Sequence, residues 1–292
     1  MYSRPIFPQE ILDLILDEIS FVSMAYTYSE HRKTALTLVN CSLTCSSLRK
    51  NAQKRLFHDV SIYFPNSKYN SSCRPNLLNQ VLMSNERLRG FVTKLRIVLE
   101  STLPRSYASF PSLPNLTHLN ITGDNFQEPL DWTWTLGSDW DTCKSDIFKM
   151  MHVPTLRSLE IYNIFEFPVG VLLTCGQVQE LYVDSSSVTL DVNTNIIDSG
   201  LLPLLPPQRG HLEGLGFFDL TFPLLVKALK SNPSSPLSIT RLQKLKLSVF
   251  DRESENAVQE VLRLTAGSLK HLEIRFEPCV YYFFPSLPTI NC

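Results

Sequence analysis

The segment LTHLNI, residues 116–121, places apolar side chains at positions 1, 4 and 6, and this phrase recurs along the chain. Successive residues of a strand face opposite sides of a sheet, so positions 4 and 6 lie on one face. Each copy therefore predicts a short strand with one side in a core and the other in solvent. There are eight copies, whose fourth positions are Val60, Leu95, Leu119, Leu159, Leu181, Leu215, Leu245 and Leu272.

Helical patterns separate several copies of the phrase. They cover residues 75–86, 141–151, 222–231 and 253–265. A strand, a helical crossover and another strand make a parallel pair, which predicts an α/β fold. Repeats of this length favour parallel strands and helices stacked along an irregular solenoid. The alternative is an ordinary α/β domain with one parallel sheet.

The repeated phrase resembles the leucine-rich repeat. Successive fourth positions differ by 35, 24, 40, 22, 34, 30 and 27 residues, so the repeat is irregular. The asparagine or cysteine that the family places three residues after position 6 is also missing, as at Asp124 and Ser186. The resemblance implies a leucine-rich-repeat-like substrate-binding domain over residues 58–292, without the asparagine ladder that ties neighbouring turns together.

The segment FPQEILDLILDEI, residues 7–19, predicts a helix at the N-terminal end of the chain. Pro8 suits a first helical position, and Glu10 lies in the first turn, where the helix dipole favours a carboxylate. The apolar side chains cover an arc of roughly 200°, about twice what a helix needs on its own small core. More of this chain or another protein must cover the rest. The arc contains Ile11, Leu12, Leu14, Ile15, Leu16 and Ile19.

Residues 31–57 predict two further helices with the same period. Three short helices in fewer than 60 residues bury little surface, and such a unit is marginal alone. The unit therefore needs a partner, which is either another protein or the hydrophobic end of the strand array.

Three blocks of this region occur in an order that resembles an F-box. They are Phe7-Pro8-x-Glu10, CSLTCSSL at residues 41–48 and RLF at residues 55–57. The likeness is to the F-box proteins of mushroom-forming fungi. It implies an F-box domain over residues 1–57 that docks a Skp-type adaptor and, through it, a cullin. The expected adaptor contacts are Phe7, Pro8, Ile11, Leu12, Ile15, Leu16, Leu43 and Leu48.

The two resemblances together imply a non-catalytic substrate receptor of a cullin-based ubiquitin ligase. The alternative is a stand-alone leucine-rich-repeat-like interaction or scaffold protein whose N-terminal helices only cap the solenoid. The sequence contains no Gly-x-x-x-x-Gly-Lys, Gly-x-Gly-x-x-Gly, Gly-x-Ser-x-Gly or His-Glu-x-x-His motif. We therefore expect neither catalysis nor a cofactor.

Positions 3, 5 and 7 of the phrase should face outward from the same sheet. They are basic in the second copy, acidic and aromatic in the fourth and fifth, and glycine-rich in the sixth. Two tyrosines beside three carboxylates suit a basic or aromatic segment of a target protein, and two glycines predict a depression beside them. A plain solvated face is the alternative. The expected target contacts are Glu160, Tyr162, Glu180, Tyr182, Asp184 and Phe218.

The composition narrows the partners. The formal net charge is −1 over 292 residues, so no global basic field favours nucleic acid or an anionic membrane. The start lacks the apolar run of a signal peptide and no apolar run could span a bilayer, which predicts a cytoplasmic or nuclear protein. The seven cysteines are scattered and odd in number, so we expect reduced thiols. Cys41 and Cys45 share a helix face, but zinc needs two more ligands, so no metal site is expected.

All three tryptophans, Trp132, Trp134 and Trp140, lie in one insertion between the third and fourth copies of the phrase. Tryptophan is common at binding surfaces, but aromatic residues of an insertion more often pack on the edge of a core. The second arrangement is the expectation.

Overall fold

A computed structural model describes the chain over residues 9–24, 28–44, 46–63, 74–99, 109–123, 130–132, 138–184, 186–189, 210–233 and 235–276. The fold is mixed α/β, as predicted, with a large parallel sheet and, in this described part, nine helices and no closed barrel. The helices are α1 (Gln9–Met24), α2 (Tyr28–Thr44), α3 (Ser46–Leu56), α4 (Arg74–Ser84), α5 (Glu86–Arg89), α6 (Ser138–Met151), α7 (Val169–Thr174), α8 (Phe222–Ser231) and α9 (Arg252–Thr265).

Eight strands form the large sheet, and they lie in it in the order in which the chain makes them. Every adjacent pair is parallel. The eight copies of the phrase correspond to these eight strands. They are β1 (Asp59–Tyr63), β2 (Lys94–Leu99), β3 (His118–Gly123), β4 (Ser158–Tyr162), β5 (Glu180–Asp184), β6 (Gly214–Phe218), β7 (Lys244–Val249) and β8 (His271–Phe276).

Equivalent positions of the phrase pair with one another across the whole sheet. Val60 pairs with Leu95, Leu95 pairs with Leu119, and the same register continues through to Leu272. Positions 4 and 6 are buried in the first seven strands. Leu272 is 44% exposed and lies on the edge strand β8. The strand register read from the sequence is therefore confirmed.

A backbone ladder at the start of the strands ties neighbouring copies together where the asparagine ladder is missing. The carbonyl of position 2 in one copy accepts hydrogen bonds from the N–H groups of positions 2 and 3 in the next. Arg157 O, for example, accepts from Gln179 N at 2.8 Å and from Glu180 N at 2.9 Å. Because this ladder uses only backbone atoms, the side chain at position 2 is free to vary along the chain.

The main core lies between one face of the sheet and the helices that connect the strands. The helices α4, α6, α8 and α9 contribute Leu82, Ile147, Leu225 and Val261 to it, and the strands contribute positions 4 and 6. Positions 3, 5 and 7 consequently lie on the opposite side of the sheet, which we call the outer face.

The described tryptophans of the insertion belong to this core. Trp132 and Trp140 are buried, with ring centres 6.1 Å apart. Phe148 and Phe167 pack against Trp132, with ring centres at 5.8 and 4.8 Å. Trp134 lies outside the described residues. The insertion therefore places two of its tryptophans in the core, as expected.

The helices α1, α2 and α3 form a small unit with a core of its own, which we call the three-helix unit. The side chains buried in it are Leu16, Leu38 and Ala52, and those packed against them are Cys41, Leu48 and Leu56. Within the described ranges, no helix of the chain has the length and apolar character needed to cross a membrane.

Candidate interaction surfaces

The six side chains expected to contact a target lie on three adjacent strands, β4, β5 and β6. The register places Tyr162 beside Asp184 and Asp184 beside Phe218, all on the outer face. Because the strands are neighbours, the six side chains make one surface, which we call the aromatic patch. Its members are Glu160, Tyr162, Glu180, Tyr182, Asp184 and Phe218.

Three rings run across the aromatic patch in contact with one another. The ring centres of Tyr162 and Tyr182 are 5.4 Å apart, and those of Tyr182 and Phe218 are 5.2 Å apart. The interplanar angles of 40° and 48° are tilted arrangements of the kind that aromatic pairs favour. All three side chains remain partly exposed. The patch therefore presents a continuous aromatic row to solvent.

The prediction of a depression beside the two glycines is wrong, because the ring of Tyr182 occupies that space. A Cβ on Gly216 would lie 2.4 Å from Tyr182 Cδ2 and 2.8 Å from Tyr182 Cε2, which is closer than real contacts allow. A Cβ on Gly214 would meet Glu180 Cγ at 3.4 Å. The missing side chain at 216 thus makes room for a ring from the neighbouring strand, and this seat fixes where the ring lies.

Negative charge accompanies the aromatic row. Asn120 Nδ2 donates a hydrogen bond to Glu160 Oε2 at 2.7 Å. Burial raises the pKa of Tyr162 well above its usual range, and the nearby Glu160 carboxylate, which is also hydrogen-bonded to it, adds to the shift. Burial and the Asp184 carboxylate likewise raise the pKa of Tyr182. Both phenols therefore stay protonated at neutral pH, and the charge of the patch comes from its carboxylates.

One cation of the chain already lies on the aromatic patch. The Arg275 guanidinium carbon is 5.0 Å from the centre of the Phe218 ring, and Arg275 Nη2 is 2.9 Å from Glu273 Oε1. Ser248 of β7 pairs with Arg275, and its small side chain leaves room for Arg275 to reach β6. Arg275 is position 7 of the eighth copy, so the phrase predicts that it lies on this face. The phrase does not connect it to Phe218. A small residue on the strand between them was the available signal.

Asp219 is a second residue near the patch that sequence reasoning missed. Its Oδ1 accepts hydrogen bonds from Thr221 N and Thr221 Oγ1, both at 2.9 Å. Burial raises the pKa of Asp219 from the ordinary 3.8 to about 6, although the Thr221 hydrogen bonds oppose the shift. The Asp184 carboxylate also raises it. Asp219 directly follows position 7, so it lies just outside the repeated phrase, and the phrase does not predict a role for it.

The three-helix unit presents large apolar side chains to solvent. Ile11, Leu14 and Ile15 of α1 are 42%, 62% and 49% exposed, and Leu43 of α2 is 72% exposed. At about 100° per residue, the three α1 side chains lie within one arc of about 100°. Exposed apolar patches of this kind mark interaction surfaces in soluble proteins. Ile11, Ile15 and Leu43 are among the expected adaptor contacts.

The other expected adaptor contacts lie elsewhere. Leu16 is 1% exposed and lies in the core of the three-helix unit, so it stabilises that unit and does not reach its surface. Leu12 is half-buried, and Leu48 packs against the same core. Phe7 and Pro8 lie outside the described residues.

Polar side chains tie α1 to α3. Arg55 Nε donates to Asp17 Oδ1 at 2.9 Å, and Arg55 Nη2 donates to Asp13 O at 3.0 Å. Asn51 Nδ2 donates to the Asp13 carboxylate. Asp13 and Asp17 therefore lie on the side of α1 that contacts α3, while Ile11, Leu14 and Ile15 of its apolar arc are exposed.

A polar cleft of about 410 Å³ opens at the start of β4 to β7. Arg157 Nη1 donates to Pro154 O and to Gln177 O, both at 3.2 Å, so backbone carbonyls of two neighbouring loops hold this guanidinium. Cationic and anionic side chains both line the cleft, and it therefore lacks the single sign of charge that an anion site requires. The lining residues are Arg157, Gly176, Gln177, Gln179, Gly210, His211, Glu213, Arg241 and Gln243.

The cysteines of the described segments are free thiols at Cys41, Cys143 and Cys175. Burial raises the pKa of the Cys175 thiol to about 12. Cys45 lies outside the described residues. Across the segments that are described, no three His, Cys, Asp or Glu side chains lie close enough together to hold a metal ion.

Comparison of the sequence with protein-family models gave no match, and comparison with curated proteins gave no significant match. These comparisons therefore assign no family to the chain.

Proposed function

We propose that the chain is a non-catalytic substrate receptor of a cullin-based ubiquitin ligase. The three-helix unit is an F-box that docks a Skp-type adaptor, and the sheet region is an irregular leucine-rich-repeat-like solenoid that captures a target. The observation that carries this proposal is the apolar side of α1, where Ile11, Leu14 and Ile15 are exposed although Leu16 of the same helix is buried. A receptor of this kind works in the cytoplasm or nucleus.

The order of the strands supports the solenoid part of the proposal. In a doubly wound sheet the strand order reverses, and ligands bind at the point of reversal. Here the eight strands follow one another without a reversal, and equivalent positions of the phrase stay in register. Each copy therefore behaves as one unit stacked on the previous unit, which is the arrangement of repeat proteins.

Such a receptor acts by placement. Holding a target beside a ubiquitin-charged enzyme raises the effective concentration of the target's lysines at the reacting thioester. The receptor needs two surfaces for this, one for the adaptor and one for the target. The exposed apolar face of α1 and the aromatic patch lie in separate structural units and suit these two roles.

A stand-alone interaction protein is the second candidate, and Phe57 favours it. Phe57 directly follows α3, and it packs against the main core. His58 O then accepts hydrogen bonds from Thr93 N and Lys94 N, as the first step of the backbone ladder. The three-helix unit is thus joined closely to the first strand, where a terminal cap of the array would lie.

Adaptor capture separates the two candidates. Changing Ile11→Asp together with Ile15→Asp places two carboxylates in the proposed contact, where burying an unpaired charge costs several kcal/mol. We expect the co-expressed adaptor to copurify with the unchanged chain and to be lost, by about 100-fold or more in affinity, with the double variant. Copurification and surface plasmon resonance measure this effect.

The matched control is Val81→Asp with Leu264→Asp. These apolar side chains are 42% and 39% exposed, close to the values for Ile11 and Ile15, but they lie on α4 and α9. The control variant should retain the adaptor. Failure of the unchanged chain to bind adaptor, or equal binding by both double variants, would contradict the receptor proposal and favour the stand-alone protein.

A further inference from the structure

The aromatic patch contains a built-in example of how it holds a cation. Arg275 places its guanidinium over Phe218 at 5.0 Å and pairs with the Glu273 carboxylate at 2.9 Å. Glu273 also pairs with Lys246 Nζ at 3.0 Å. A cation above a ring gains from the negative face of the ring, and a carboxylate beside the ring fixes its position. One end of the aromatic row is therefore already occupied by the chain's own arginine.

The other two rings each have a carboxylate two residues away on the same strand face, whereas the carboxylate beside Phe218 comes from β8. Glu160 lies two residues before Tyr162, and Asp184 lies two residues after Tyr182. Residues two apart on a strand are about 6.6 Å apart, a distance that one guanidinium can bridge while lying on the ring. Glu160 receives hydrogen bonds from the neutral groups of Asn120 and Tyr162, and neither of these groups balances its charge.

We propose that the aromatic patch recognises a target segment that carries arginine, with the guanidinium stacked on Tyr162 or Tyr182 and paired with Glu160 or Asp184. This inference rests on the proposed function, because it takes the outer face to be the target-binding surface. It specifies the chemistry of the target segment: an exposed, basic stretch that presents at least one arginine to the row of rings.

Arginine fits this surface better than lysine does. Its planar guanidinium stacks on a ring and, at the same time, donates two parallel hydrogen bonds to a carboxylate. An ammonium group is compact and strongly hydrated, so it makes the ion pair without the stacking. Acidic segments are disfavoured because the patch contributes three carboxylates, one of which, Glu180, lies 4.0 Å from Lys244 Nζ.

The seat of Tyr182 offers a way to disturb the row without removing any of its groups. The ring lies directly over Gly216, so a methyl group at that position would displace it. Gly216→Ala therefore keeps every carboxylate and every ring but moves the middle ring of the row. Gly170→Ala on α7 is the matched control, since nothing lies within 4 Å of the added Cβ.

The test measures binding of three fluorescein-labelled peptides, GRGRGRG, GKGKGKG and GEGEGEG, to the full chain by fluorescence anisotropy. We expect the arginine peptide to bind at least about threefold more tightly than the lysine peptide, because it adds stacking to the ion pair. The glutamate peptide should not bind. Raising the salt concentration should weaken binding of the arginine peptide less than binding of the lysine peptide, since salt screens the ion pair but not the stacking.

Two variants locate the binding on the patch. Glu160→Gln with Asp184→Asn should lower the affinity for the arginine peptide about fivefold, because two exposed ion pairs are lost. Gly216→Ala should weaken it about threefold through the displaced ring, whereas Gly170→Ala should leave it unchanged. Thermal unfolding of each variant checks that the fold is retained.

The outcomes separate this inference from the function on which it rests. Equal affinity for the arginine and lysine peptides, or undiminished binding by Gly216→Ala and by the carboxylate variant, would overturn the arginine inference even where the adaptor still copurifies. Loss of adaptor copurification from the unchanged chain, with arginine binding intact, would instead overturn the receptor proposal alone.

Discussion

The three-helix unit and the sheet bury their apolar side chains to very different extents. In the sheet region, positions 4 and 6 are buried in seven successive strands, and helices cover them. Among the residues of the three-helix unit whose burial the structure describes, few apolar side chains are fully buried, while five large ones are exposed. The buried ones are Leu16, Leu38 and Ala52. The exposed ones are Ile11, Leu14, Ile15, Leu36 and Leu43.

The difference shows which part of the chain leaves apolar surface uncovered. Each strand of the sheet receives its partner from the next copy of the phrase, so the repeat completes its own core. Three short helices leave several apolar side chains exposed, although Leu16 of α1 is buried and Asp17 of α1 pairs with Arg55 of α3. This exposed apolar surface is the one that the receptor proposal assigns to the adaptor.

The largest expected effect comes from deleting one core side chain in each region. Leu245 is fully buried in the sheet and Leu38 is 4% exposed in the three-helix unit. A buried leucine-to-alanine change costs about 2–5 kcal/mol. We expect Leu245→Ala to lower the temperature of the main unfolding transition and to retain adaptor binding. Leu38→Ala should leave that transition unchanged and lose adaptor binding. Differential scanning calorimetry and adaptor copurification measure the two effects.

Leu264→Ala is the control for these core changes, because Leu264 is exposed on α9. It should alter neither the transition nor adaptor capture by a measurable amount. A single transition that Leu245→Ala and Leu38→Ala shift equally would show that the two regions unfold as one, and the contrast between them would fail.

The sheet could be predicted from the sequence because its pattern is local. A period of two settles which side chains of a strand are buried, and the in-register stacking of Leu119 on Leu95 follows from the repetition of one phrase. The lengths of the connecting segments did not affect this prediction. The main helices were predictable for the same reason, since α8 and α9 carry helical patterns between two copies.

The surfaces were less predictable because they depend on contacts between distant residues. Six apolar positions on α1 do not reveal that Leu16 faces the core, since this depends on how α1 packs against α2 and α3. Two glycines predicted a depression, but the Tyr182 ring on the neighbouring strand fills it. The stacking of Arg275 on Phe218 crosses an intervening strand. None of these contacts is encoded in a short stretch of sequence.

A half-buried carboxylate next to the aromatic patch, Asp219, gives the next largest effect. Its pKa in the folded chain is raised from 3.8 to about 6 by burial, so the folded state binds its proton more tightly than the unfolded state does. Stability therefore falls as the pH rises from 3.8 through 6. Asp219→Asn removes this dependence and should raise the melting temperature, relative to the unchanged chain, more at pH 8 than at pH 4.

Asn256→Gln is the control for this pH series, because Asn256 is exposed on α9 and carries no titratable group. Its melting temperature relative to the unchanged chain should vary little between the two pH values. A difference for Asp219→Asn that is constant with pH, or larger at pH 4, would show that burial does not hold the proton on Asp219.

The smallest effect is expected at the contact between α1 and α3. Arg55 is 15% exposed and Asp17 is 65% exposed, so water screens their ion pair and its contribution is about 1 kcal/mol or less. Arg55→Met keeps the apolar stem and removes the donors to Asp17 Oδ1 and Asp13 O. It should slightly lower the temperature at which the three-helix unit unfolds. It should also weaken adaptor binding, because α1 is no longer held with Ile11 and Ile15 facing outward. High salt should reduce the difference from the unchanged chain, whereas Lys54→Met, an exposed neighbour on the same helix, should show neither effect. If Arg55→Met and Lys54→Met behave alike, the buried Leu16 alone sets the orientation of α1, and the contacts of Arg55 with Asp13 and Asp17 contribute nothing to the adaptor surface.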